Sequence, residues 1–165
     1  MPEETASTWA ETGKLAPDFT LPALTREGET QITLSDYIGK SAVVVYLYPK
    51  DDTPGCTKEA CAFRDMRAEF AAAGAEILGV SPDTIKSHVK FAEHHALPFP
   101  LLADVDHKVA ESYGAWREKM NYGKTYMGIQ RSTFVIDKDG IVRKVWASVK
   151  VDQHADKVLE IVKEL

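Results

Sequence analysis

Cys56 and Cys61 are the only thiols in a chain of 165 residues. They stand in the run Pro49-Lys50-Asp51-Asp52-Thr53-Pro54-Gly55-Cys56-Thr57-Lys58-Glu59-Ala60-Cys61. That run reads as the end of a buried strand, a turn, and the start of a helix carrying both cysteines. A thiol in the first turn of a helix faces unpaired backbone N–H groups and the positive end of the helix dipole, both of which favour thiolate over thiol. A second thiol five residues on is placed to capture an oxidised first one. The chemistry these residues suit is redox catalysis.

Other readings of the cysteines fit less well. A free cysteine commonly serves as a small buried hydrophobe. A structural disulfide over so short a loop removes little entropy from the unfolded chain. A structural zinc site needs more ligands than C-x4-C supplies, and His94 and His95 fall far along the chain on another helix. The neighbours favour chemistry: Thr53 suits a helix N-cap, Pro54 the first helical position, and Gly55 lets another group come close to the backbone.

The elements that must hold these residues alternate between strand and helix, as in an α/β domain. Ala42–Tyr48 is a continuous apolar run, the mark of a strand covered on both faces. Ala75–Ser81 and Pro100–Ala103 read as further strands. Ser132–Asp137 and Ile141–Ala147 form a hairpin around Lys138-Asp139-Gly140. Helices are expected over Pro54–Ala73, Thr84–His95, His107–Tyr113 and Gln153–Glu164. Lys14–Leu34 reads as an irregular, partly extended layer with short strands of its own. One domain over residues 14–165 is expected, preceded by an N-terminal arm over residues 1–13.

On a wheel at about 100° per residue, Phe63, Met66 and Phe70 define the apolar face of the helix that starts at Pro54. Cys56 falls within about 20° of Phe63 and Cys61 about 160° away, beside Arg64, Asp65 and Thr57. Cys56 should therefore point inward and Cys61 outward. Five residues of helix hold the two Cα atoms roughly 8–9 Å apart, beyond the reach of about 7 Å for a disulfide. The thiols cannot bridge while that helix is intact.

Composition narrows the partners. The chain is 44% hydrophobic, enough for a full core, and its net charge of −5 argues against nucleic acid or an anionic membrane as partner. The stretch Met1–Gly13 is polar and acidic and does not read as a signal peptide, and no apolar run approaches membrane-spanning length. Two cysteines in such a chain fit a reducing cytoplasm, where a dithiol is catalytic rather than structural.

Pro49-x-x-x-Thr53-x-x-Cys56 resembles the active-site signature of peroxiredoxins, thiol peroxidases of thioredoxin-like fold. Cys61 resembles the resolving position of the bacterioferritin comigratory protein, or PrxQ, subgroup. The likeness continues in Ala16-Pro17-Asp18-Phe19, Gly79-Val80-Ser81-Pro82-Asp83, Phe99-Pro100-Leu101-Leu102, Gly123-Lys124-Thr125-Tyr126 and Arg131-Ser132-Thr133-Phe134. The resemblance implies a central mixed sheet flanked by helices, with Cys56 as the peroxidatic thiolate that becomes a sulfenic acid. It implies that the Thr53 hydroxyl sits beside the sulfur, that Pro49 closes the pocket, and that Arg131 supplies a positive fork. Cys61 would then condense with the sulfenic acid, leaving a disulfide for thioredoxin or a similar dithiol to reduce. The substrates implied are hydrogen peroxide and organic hydroperoxides; no metal, flavin or haem is needed, and the subgroup favours a monomer.

Several residues rank lower. Glu59 near a helix start reads first as complementing the helix dipole. Lys50, Asp51 and Asp52 read as solvated loop charges and Trp116 as a core or edge aromatic, which the subgroup resemblance would set near the pocket mouth. His88, His94, His95, His107 and His154 show no ligand or base constellation and are assigned to helix and loop surfaces. Two other functions use the same thiols: a thioredoxin-type disulfide oxidoreductase, which would normally carry C-x-x-C, and a redox sensor without turnover.

Overall fold

The computed structural model describes residues 8–165; residues 1–7, most of the expected arm, lie outside the described residues. Among the described residues nine strands and five α-helices follow one another. They are β1 (Thr20–Thr25), β2 (Gly28–Thr33), β3 (Ala42–Leu47), α1 (Pro54–Asp65), α2 (Arg67–Ala72), β4 (Ala75–Ser81), α3 (Ile85–His95), β5 (Leu101–Ala103), α4 (Lys108–Tyr113), β6 (Trp116–Asn121), β7 (Lys124–Ile129), β8 (Ser132–Ile136), β9 (Val142–Trp146) and α5 (His154–Lys163). Seven strands form one sheet in the order β2-β1-β5-β4-β3-β8-β9, and β6 and β7 pair separately. The sheet is mixed: β3 runs parallel to β4 and antiparallel to β8.

β3 is central because it has partners on both edges and cover on both faces. Val44, Tyr46 and Tyr48 point into a core shared with Phe63 of α1, Phe70 of α2, Phe91 of α3 and Val158 of α5. Val43, Val45 and Leu47 point the other way, into a core with Leu78, Phe134 and Tyr113. A strand buried on both sides has no polar face, which is why Ala42–Tyr48 reads as an unbroken apolar run. The second core also takes in Trp9, whose ring lies 6.2 Å from that of Phe134. At Gly114, with φ +89°, an added Cβ would come within 2.5 Å of Trp9 Cα, so the segment around Trp9 requires glycine there.

Four sequence expectations change in detail. The helix expected over Pro54–Ala73 is two, broken at Met66, whose backbone (φ −108°, ψ 6°) leaves the helical region. No proline or glycine marks the break; it lets Phe63 and Phe70 both reach the same core. Lys14–Leu34 is less irregular than expected, because β1 and β2 form a six-residue hairpin register that extends the main sheet through β5. The β6–β7 hairpin, where no element was expected, turns on Tyr122 and Gly123, both at positive φ. Its strands carry Arg117, Glu118, Lys119, Asn121 and Lys124, so they lack the apolar alternation that would have announced them. Lastly, two histidines assigned to the surface are buried: His88 in α3 and His154 in α5.

Candidate active site

β3 ends at Leu47, and the chain turns through Pro49–Thr53 into α1. β8 lies antiparallel beside β3 with Ser132 opposite Leu47, which brings Arg131, one residue ahead of β8, level with the start of that turn. Arg131, far along the chain, therefore meets the turn and the start of α1 at the C-terminal end of β3. Arg131 Nη2 donates to Cys56 Sγ at 3.2 Å, and Arg131 Nη1 donates to Glu59 Oε1 at 2.6 Å. One planar guanidinium thus holds both the thiol and a carboxylate one helical turn on, a two-pronged contact that a lysine ammonium could not reproduce. Gly55 makes room for it: a Cβ there would sit 3.1 Å from Arg131 Nη2.

Both thiols are free. Cys56 is 1% exposed and Cys61 only half-buried. The inward and outward placement expected from the wheel is present, although Cys61 is less open than a fully solvated side chain. Pro54 occupies the first turn and Thr53 the N-cap position, with Thr57 N–H closing the first helical bond on Thr53 C=O at 2.8 Å. The Thr53 hydroxyl, however, does not cap the helix; it donates to Lys50 C=O at 2.8 Å. The turn takes the hydroxyl because the Lys50 carbonyl lies within reach inside the loop.

Glu59, ranked low on sequence, is fully enclosed at 1% exposure. Burial pushes its carboxyl up to about 7, against the pull of Arg131. Its Oε2 is buried without a partner, as are Tyr46 Oη and Ser132 Oγ. Burial works to lower the Arg131 guanidinium, but the charges of Glu59 and Cys56 and the hydrogen bonds to both hold it above its ordinary value. Burial, followed by the nearby Glu59 and Cys56, drives the Tyr46 hydroxyl well above the usual phenol range. Unpaired buried polar atoms cost about 1–3 kcal/mol each. Of the three, Glu59 Oε2 belongs to the carboxylate that Arg131 ties to Cys56.

An open cavity of about 460 Å³ adjoins the turn; Pro49 and Trp116 line it together with Lys119, Tyr126 and Ile129. The Trp116 ring stacks on His107 with centroids 3.8 Å apart. Lys119, not considered on sequence, donates to Ile129 C=O at 2.6 Å. Burial lowers its ammonium, and the nearby Arg131 lowers it further. Nothing in the polar β6 segment singles out Lys119; only the fold of the hairpin over the turn brings it here.

Of the loop acids, Asp52 is exposed as expected and Asp51 departs from the solvated state. Asp51 is 6% exposed and accepts hydrogen bonds from Tyr48 Oη at 2.7 Å and Ser87 Oγ at 2.8 Å, with His88 Nδ1 at 2.7 Å. Its neighbour Asp52 faces out toward His94 and His95, so these two histidines do belong to a constellation. His154 pairs with Thr133 Oγ1 at 2.8 Å, and burial pushes its imidazole down to about 4.

Residues 12–145 match the family model described as the AhpC/TSA family. The chain is 52% identical to the peroxiredoxin Bcp of Bacillus subtilis over 155 residues, covering 94% of this chain and 96% of that protein. It is 46% identical to the peroxiredoxin Bcp of Escherichia coli K12, covering 92% and 95%. Peroxiredoxin Q of Xanthomonas campestris superposes with a TM-score of 0.80 at 44% identity, over 87% of this chain and 90% of that one. A second structure of the Xanthomonas bacterioferritin comigratory protein, described as a trapped intermediate and ligand complex bearing on alkyl peroxide reduction, has the same TM-score at 43% identity, covering 87% and 90%.

Proposed function

This chain belongs to the AhpC/TSA family, and on that footing we propose how its residues carry out a peroxiredoxin cycle. The protein is a thiol-dependent peroxidase of thioredoxin-like fold and of the Bcp/PrxQ type. The observation that carries the assignment of residues is the Arg131 fork on Cys56 Sγ and Glu59 Oε1. A fixed cation 3.2 Å from sulfur is in place before the peroxide arrives, aimed at the atom where charge is redistributed.

In the first step the Cys56 thiolate attacks the terminal oxygen of a hydroperoxide. The O–O bond breaks, the sulfur is oxidised to a sulfenic acid, and the second oxygen leaves with a proton as water or alcohol. Arg131 spreads its positive charge over the developing negative oxygen. Thr53 positions the terminal oxygen, and Pro49 with Trp116 shields the entrance. In the second step the Cys61 thiol attacks the Cys56 sulfur, expelling water and forming the Cys56–Cys61 disulfide. An external dithiol of the thioredoxin type returns two electrons and two protons.

The second step needs α1 to open. The thiols lie on different sides of the helix and their Cα atoms are held roughly 8–9 Å apart while it is intact. The first turn resists opening weakly. It has no side-chain cap, and each helical bond is worth about 1 kcal/mol net. The contacts that oppose opening are the Arg131 fork, the core packing of Cys56, Ala60 and Phe63, the Arg64 bond to His95 C=O and an exposed Lys58–Asp152 ion pair.

Hydrogen peroxide and organic hydroperoxides are the substrates in this reading. A monomer in the cytoplasm, acting without nucleic acid or membrane, is its setting. Residues 14–165 work as one domain with the preceding arm as an extension. Among the described residues no helix is long and apolar enough to cross a membrane. The test is NADPH consumption with thioredoxin, thioredoxin reductase and several hydroperoxides. Wild type should turn over, and Cys56→Ser should lose all turnover because a hydroxyl is too basic to react. Turnover by that variant would remove Cys56 from the mechanism; insulin reduction without peroxide loss would favour a disulfide oxidoreductase instead.

A further inference from the structure

Asp52, His94 and His95 belong to no step of that cycle. They come together because the loop before α1 crosses the end of α3. Asp52 adopts a left-handed backbone, φ 59°, and its carboxylate reaches out to two consecutive histidines in the last turn of α3. His94 Nδ1 lies 3.2 Å from Asp52 Oδ2, and His95 Nε2 lies 3.2 Å from Asp52 Oδ1. One potential ligand atom from each of the three residues falls within 4.8 Å of the others.

These spacings suit a bound cation as well as they suit hydrogen bonds. A metal bonded to nitrogen and oxygen at about 2.0–2.2 Å places neighbouring ligand atoms roughly 3–3.5 Å apart. Two imidazoles and one carboxylate form the donor set of zinc-class divalent ions, with open positions left for water. The site also lies at the C-terminal end of an eleven-residue helix, where the helix dipole favours positive charge. Arg64 donates to His95 C=O at 2.7 Å and is itself paired with Asp65 at 2.9 Å, which offsets its charge.

We propose that Asp52, His94 and His95 bind a zinc-class divalent cation that ties the loop ahead of α1 to the end of α3. The consequence for catalysis rests on the cycle proposed above. Asp52 is next to Thr53, the hinge about which α1 must open before Cys61 can reach Cys56. An ion held only in the closed form lowers the population of the open one. At a hundredfold excess over its dissociation constant, that suppression reaches up to about a hundredfold. Peroxide oxidation of Cys56, which uses the closed form, is left unchanged.

Binding is tested on the untagged full-length chain carrying Cys56→Ser and Cys61→Ser, so that zinc has no thiols to occupy. Titration calorimetry with zinc chloride should give one site per chain in the micromolar range. Asp52→Asn or His94→Ala in that background should weaken it at least about tenfold, whereas His107→Ala should not. No binding up to millimolar zinc, or equal binding by Asp52→Asn, overturns the site. Stopped-flow oxidation of the protein with both thiols then separates this idea from the peroxidase reading. Zinc should slow the disulfide step in wild type and leave it unchanged in Asp52→Asn; equal slowing in both means zinc acts at the thiols and overturns the coupling. Absence of any oxidation phase in zinc-free protein would count against the peroxidase cycle and leave the binding result standing.

Discussion

α1 and α3 pack against the same face of the sheet, and each begins at a threonine in extended conformation, Thr53 and Thr84. Thr84 caps its helix, its hydroxyl accepting from Ser87 N–H at 3.2 Å. Thr53 does not; its hydroxyl is turned back to Lys50 C=O. The same residue type at the same position thus does different work. α3 is a finished helix that anchors the loop through Ser87 and His88 on buried Asp51. α1 starts with its backbone donors uncapped and its first turn held by Arg131 instead. In the proposed cycle the start of this helix is held by a charge just ahead of β8 and loses part of that hold once sulfur is oxidised. In that cycle the capped helix supplies rigidity, and the uncapped one the reactive thiol and the capacity to open.

The contrast is broken most severely at Arg131. Arg131→Lys keeps the charge but loses one prong, so peroxide oxidation of Cys56 measured by stopped flow should fall on the order of a hundredfold. A rate within twofold of wild type would take Arg131 out of the mechanism.

Hydrogen exchange sharpens the comparison between the helices. In the disulfide form the amides of residues 56–64 should lose protection by orders of magnitude, while those of residues 88–95 keep theirs. Equal protection of α1 in both redox forms, with the disulfide verified by mass spectrometry, would rule out opening.

The two threonines should separate stability from rate. Thr84→Ala removes a cap and should cost about 1 kcal/mol in urea denaturation with unchanged peroxidase rate. Thr53→Val should cost less stability than that and lower the oxidation rate at least tenfold. If both variants lost only stability, Thr53 would be a structural residue like Thr84.

The smallest effect concerns pH. Burial raises the folded Glu59 carboxyl from 4.5 to about 7. A group raised on folding contributes stability fully below its unfolded value, and that contribution is lost as pH rises through about 7. His154 is lowered from 6.5 to about 4, so its contribution is present above 6.5 and lost as pH falls through about 4. Reduced wild type should therefore lose stability relative to Glu59→Gln between pH 5 and pH 7.5, measured by urea midpoints across roughly that range. Parallel profiles for the two proteins would mean Glu59 titrates as an ordinary carboxylate.

The order of elements was legible in the chain wherever the pattern is local. The apolar run Ala42–Tyr48, the turn at Asp139-Gly140 and the inward register of Cys56 against Phe63 all depend on residues within a few positions of one another, and backbone periodicity alone sets them. The resemblance in Pro49, Thr53, Cys56 and Arg131 supplied the candidate site, including Arg131 from just ahead of the distant strand β8. What the tertiary structure alone decided is the environment of each charge. Glu59 and Asp51 have the sequence surroundings of solvated acids, yet Arg131 encloses the first and α3 the second. Asp51 and Asp52 are adjacent, and only the path of the loop over α3 sends one inward to His88 and the other outward to His94 and His95. Periodicity records which way a side chain leaves its own helix or strand. What it meets there is set by the pairing of β3 with β8 and the crossing of α3, contacts between segments dozens of residues apart that no local pattern encodes.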